Sequence, residues 1–103
     1  MEINRNILRS AIDTYGKTAQ MIVCIEECAE LQKELCKAYR EEYTYGPSGF
    51  NVEHIAEEIA DVYIMLGQMA IAFKAEETVA DYLLKKQERL AERIANVDTY
   101  NRG

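Results

Sequence analysis

Apolar residues recur along this sequence at steps of three and four, and no segment sustains the period of two expected of a half-buried strand. Ile3, Ile7, Leu8, Ala11, Ile12 and Tyr15 define a first helix, which Gly16 ends. Thr18 is the expected cap of a second helix, from about Ala19 to about Arg40, with Cys24, Cys28, Leu31 and Leu35 as its buried stripe. The segment Glu41 to Phe50 holds the only proline, in Gly46-Pro47-Ser48-Gly49, and reads as a loop. Asn51 is placed to cap a third helix from about Val52 to Phe73, whose core stripe is Ile55, Val62, Leu66 and Met69. A fourth, from about Glu76 to Val97, aligns Val79, Leu83, Leu90, Ile94 and Val97, and the residues after Asp98 are expected to fray. The pattern predicts an all-α fold, an antiparallel bundle of about four helices.

A chain of 103 residues makes one compact domain. So small a domain covers a modest share of its own surface, yet 49% of the residues are hydrophobic and lie on long amphipathic stretches. A second copy is therefore expected to cover part of that surface, as a homodimer or homotetramer. The longest apolar stretch, Ile59 to Phe73, contains Asp61 and Gln68 and is too short to span a membrane.

Eighteen acidic against 12 basic residues give a formal net charge of -6, which excludes a nucleic-acid polymer as partner, since that needs a basic footprint. A single nucleotide remains compatible, because its phosphates can arrive bound to a divalent cation. The three cysteines, Cys24, Cys28 and Cys36, have no CxxC spacing and an odd count. They read as small core residues in a reducing cytoplasm. Met1 to Ser10 mixes charges and amides with scattered apolar residues, unlike a secretory leader.

One internal repeat changes the picture. Glu26-Glu27-Cys28-Ala29-Glu30-Leu31 is echoed by Glu57-Glu58-Ile59-Ala60-Asp61-Val62, each in the order acid, acid, apolar, Ala, acid, apolar. At about 100° per residue, Glu27 and Glu30 fall on one edge of the second helix's apolar stripe, and Glu58 and Asp61 on the edge of the third's. Glu26 and Glu57 point to solvent. If the two edges face each other, four carboxylates meet at the boundary of a low-dielectric interior, where their repulsion raises at least one pKa. A hard divalent cation resolves that repulsion. Mg²⁺ takes oxygen ligands and keeps positions open for water and substrate phosphates.

Other residues could serve the same chemistry. Lys86 lies near the apolar stripe of the fourth helix, with Arg89 and Arg93 on the adjoining edge and Tyr82 one turn before; these cations could hold phosphates or merely cover apolar surface. Gln20, two turns before Glu27, could hydrogen-bond a base or sugar. Tyr39, Tyr43, Tyr45 and Phe50 could stack on a base or pack under the loop. His54 reads as an exposed first-turn residue.

The strings Glu27-Cys28-Ala29-Glu30 and Glu58-Ile59-Ala60-Asp61 resemble the ExxE…ExxD signature of the MazG-like all-α NTP pyrophosphohydrolase superfamily, which includes dimeric dUTPases, dCTP pyrophosphatases and phosphoribosyl-ATP pyrophosphohydrolases. Tyr15-Gly16 and Gln20 before the first motif, and Lys86-Gln87-Glu88-Arg89-Leu90 in the last helix, extend the likeness over most of the chain. It is similar above all to the short, single-domain, often phage-associated members. The resemblance implies hydrolysis between the α- and β-phosphates of a nucleoside triphosphate, to a monophosphate and pyrophosphate. By it, Glu27, Glu30, Glu58 and Asp61 would be the Mg²⁺ ligands (with Mn²⁺ a possible substitute) and would carry the catalysis. Lys86 and Arg89 would hold phosphate, and the active sites would lie near subunit contacts. An answer of a different class is a non-catalytic helical partner protein with a solvated acidic face, which would show no metal dependence.

Overall fold

The computed structural model of the chain describes residues 2–46 and 51–102. Among these the regular structure is entirely helical, with no strand, in the order α1 (Arg5–Tyr15), α2 (Lys17–Tyr45), α3 (Val52–Ala72) and α4 (Glu76–Arg102). No helix among them is long and apolar enough to cross a membrane.

The ends of the helices are set by short polar and glycine residues. Asn4 Oδ1 accepts from the backbone N–H groups of Asn6 and Ile7, at 3.0 and 3.3 Å, and so caps α1. Gly16, at φ 92°, serves both as the stop of α1 and as the cap of α2. Its N–H donates to the Ile12 carbonyl and its own carbonyl accepts from Gln20 N–H. Thr18, expected as the cap, instead lies exposed within the first turn. The second helix also runs beyond Arg40 to Tyr45, through Glu41 to Tyr45 that the sequence suggested were loop. Tyr43, on that added length, stacks with Tyr39 one turn before it, ring centroids 6.5 Å apart. Gly46, at φ 91°, ends it. Residues 47–50 of the expected loop, Phe50 among them, lie outside the described residues. Asn51 caps α3 by accepting from His54 N–H at 3.3 Å. The helical backbone of α4 continues to Arg102, past the point at which fraying was expected.

Helices α2 and α3 form an antiparallel hairpin, as the pairing of side chains along it shows. Lys17 Nζ sits 4.0 Å above the Phe73 ring, and Gln20 bonds to Gln68. Glu27 meets Asp61, and Ala38 and Ile55 line one small cavity towards the connection. Covered positions along α2 step by four and three: Gln20 and Cys24 are buried, then Glu27, Leu31, Glu34, Ala38 and Glu41 are half-buried. On α3 the same rhythm gives Ile55, Glu58, Val62, Met65, Met69 and Ala72. This is a seven-residue seam of the coiled-coil kind. It corrects the sequence stripe in two places, since Leu35 and Leu66 are exposed.

Helix α1 closes on α3 at Gly67. A methyl group there would lie 2.7 Å from Leu8 Cδ1, so the glycine allows Leu8 to bury its side chain against the α3 backbone. Leu8, Cys24, Met65 and Ile71 form the buried apolar core. The chain divides into two units after Phe73. In the second, α4 leaves Val79, Leu83, Leu90, Ile94 and Val97 exposed, and Gln87 Nε2 donates to the Leu83 carbonyl at 3.0 Å.

Candidate metal centre

A seven-residue seam is normally filled by apolar side chains. Here α2 places Glu27 in its seam between Cys24 and Leu31, and α3 places Glu58 between Ile55 and Val62. Asp61 flanks the seam one turn beyond Glu58. Carboxylate oxygens of Glu27, Glu58 and Asp61 all lie within 4.8 Å of one another, and all three residues are half-buried.

This proximity has an electrostatic consequence. Burial pushes the Glu27 carboxyl above its ordinary value, and the facing Asp61, then Glu30, push it further, with a hydrogen bond to Asp61 adding to the shift. Burial likewise raises Glu58, followed by the charges of Glu27, Asp61 and Glu30. Glu58 Oε2 is buried and has no hydrogen-bond partner. Buried polar atoms are almost always paired, so this orphaned oxygen is an acceptor looking for a proton or a cation.

The donor set fits a small hard cation. In an octahedron with bonds of about 2.1 Å, neighbouring ligand oxygens are about 3 Å apart and opposite ones about 4.2 Å. The carboxylate oxygens, all within 4.8 Å of one another, approach those separations. A recess of about 140 Å³ lined by Val23, Glu27, Asp61, Ile64 and Met65 opens beside them.

The structure thus brings together three of the four acids singled out in the repeat. Glu30, the fourth, is exposed and stands outside the close group, although its charge reaches both Glu27 and Glu58. Glu26 and Glu57 are exposed, as the helical arithmetic predicts. Lys86 and Arg89 are exposed on α4, and His54 is exposed in the first turn of α3. Gln20, read as a nucleotide contact, is buried between α2 and α3, where its Nε2 donates to Gln68 Oε1 at 2.6 Å.

Gln68 is the residue that the sequence reading passed over. It entered only as an interruption of an apolar stretch, and its signal was its position seven residues after Asp61, matching the seven between Gln20 and Glu27. Its Nε2 also lies 3.5 Å from Met65 Sδ. All three cysteines are free thiols, and burial followed by its neighbour Cys28 raises the pKa of Cys24. Compared with protein-family models, with curated proteins and with solved structures, the chain matches none.

Proposed function

We propose that this chain is a Mg²⁺-dependent nucleoside triphosphate pyrophosphohydrolase of the MazG-like kind, converting a (d)NTP to the (d)NMP and pyrophosphate in the nucleotide pool of a reducing cytoplasm. The observation that carries the reading is the meeting of Glu27, Glu58 and Asp61 in one close group on the α2–α3 seam, with one Glu58 oxygen buried and unpartnered. Three carboxylates crowded together at a half-buried helix contact weaken the hairpin unless a proton or a cation compensates them.

Glu27, Glu58 and Asp61 hold the cation, and the exposed Glu30 turns inwards to complete the set of four. Bound Mg²⁺, or Mn²⁺ in its place, supplies Lewis acidity towards the phosphates. The seam walls exclude water from one side of the acids and hold their oxygens in fixed directions. One of the four carboxylates accepts the proton of the water that attacks the phosphorus. Lys86 and Arg89 of α4 are the phosphate-binding cations that the resemblance implies, Arg89 offering a planar fork of donors. A homodimer or homotetramer covers the apolar side chains left exposed, including Leu83, Leu90 and Ile94.

The deciding experiment incubates the purified protein and Mg²⁺ with a panel of NTPs and dNTPs. Monophosphate and pyrophosphate are the expected products. Orthophosphate with a diphosphate would overturn the stated bond specificity. The absence of turnover across the panel would favour the non-catalytic partner protein with an acidic face.

A further inference from the structure

We infer that Gln20 and Gln68 are positioning residues, a buried amide pair whose hydrogen bond fixes the sliding register of α2 against α3 and so sets Glu27 opposite Glu58 and Asp61. The inference rests on the metal-site reading above and adds to it the device that holds the site in shape.

The seam itself supplies little register information. Cys24, Leu31, Val62, Met65 and Met69 attract without direction, and methionine in particular adapts to shifted neighbours. A directional contact beside it is Gln20 Nε2 to Gln68 Oε1, at 2.6 Å, between side chains that are 8% and 4% exposed. A slide of one turn, about 5.4 Å, breaks that bond and leaves two amides buried without partners. A single buried polar pair is a well-attested way for coiled helices to choose one register.

The pair is also spaced to act on the site. Gln20 precedes Glu27 by seven residues, and Gln68 follows Asp61 by seven. In an antiparallel hairpin these equal offsets put the acids opposite each other when the amides are opposite each other. The distance along the helices is about 10.5 Å, two turns, so neither amide touches the cation and the effect runs through the backbone.

The test uses the full chain with Gln20→Met and Gln68→Met together, which replaces both amides by apolar side chains of similar length. Cation affinity is read from the EPR signal of free Mn²⁺, register from cross-helix NOEs without metal, and stability from thermal melting. The expected result is a melting temperature equal to or above wild type, Mn²⁺ affinity about tenfold weaker or worse, and NOEs that split into two sets or shift by a turn. Wild-type affinity with a single wild-type NOE pattern overturns the proposal. If the wild-type chain itself does not bind Mn²⁺, the metal reading fails, and the NOE pattern alone still decides the register. Gln68→Glu keeps an acceptor for Gln20 Nε2 and is expected to retain the wild-type NOE pattern. Should the double variant not fold, a shifted pattern in Gln68→Glu would overturn the proposal.

Discussion

Glu27 on α2 and Asp61 on α3 meet across the helical hairpin, where Asp61 is the leading charge, after burial itself, that holds the Glu27 carboxyl above its ordinary value. Two acids from different helices, 34 residues apart in the chain, are thus coupled electrostatically.

Without metal, stability should fall as pH rises through the raised values of Glu27 and Glu58. A carboxyl whose folded pKa lies above the ordinary 4.5 binds its proton more tightly in the folded state. Its contribution is complete below 4.5 and is lost as pH climbs through the raised value. Melting in EDTA from pH 4.5 to 7.5 should show this decline, and Glu58→Gln should flatten it. An unchanged slope in the variant would remove Glu58 as its source.

Saturating Mg²⁺ should reverse the loss at neutral pH. A ligand present at 100 times its Kd and bound only to the folded state adds about 2.7 kcal/mol. For a domain of this size that corresponds to a rise in Tm of about 10 °C or more. The increment should shrink at pH 4.5, where protons compete for the same oxygens. No rise at millimolar metal would argue strongly against the site.

The two glutamates of the second motif separate ligand from bystander. Glu58→Gln should lower pyrophosphate release at least about 100-fold, since even partners outside the ligand shell are worth 10- to 100-fold in metalloenzymes. Glu57→Gln, at an exposed position one residue away, should stay within about twofold. Equal effects would mean that the half-buried position of Glu58 does not matter.

Packing of α1 offers a test independent of the site. Gly67→Val places branched carbons where a methyl alone would lie 2.7 Å from Leu8 Cδ1, and should cost about 1–3 kcal/mol in urea unfolding. Combining it with Leu8→Ala should cost less than the sum of the two single changes, because the new side chain fills the vacated space. Strict additivity would mean that the two positions do not touch.

Much of this arrangement could be read from the pattern of residues. The acid repeat, the outward Glu26 and Glu57, and the Asn51 cap all follow from helical spacing and local chemistry. Length was harder: Arg40 to Tyr45 lacks a strong breaker, and Gly46 sets the stop through a positive φ that the loop-like composition around it obscured. Cys24, Leu31, Ile55, Val62 and Met69 lie on the seam as the pattern predicts, whereas Leu35 and Leu66 are a step off it, on the exposed side of Glu34 and Met65. In the structure Gln20, Glu27 and Glu58 occupy covered positions instead, and hydrophobicity points away from polar residues that are buried for a purpose. Gln68 could be found only by pairing it with Gln20 across two helices.

The matched seven-residue intervals also determine where this chain can change length. One residue inserted between Gln20 and Glu27 turns every later position of α2 by about 100° and carries Glu27 off the seam. The same holds between Asp61 and Gln68. Those two intervals are closed to insertion and deletion. Between Gly46 and Asn51, by contrast, residues can be gained or lost without rotating either helix, so divergent copies of this protein should differ in length there first.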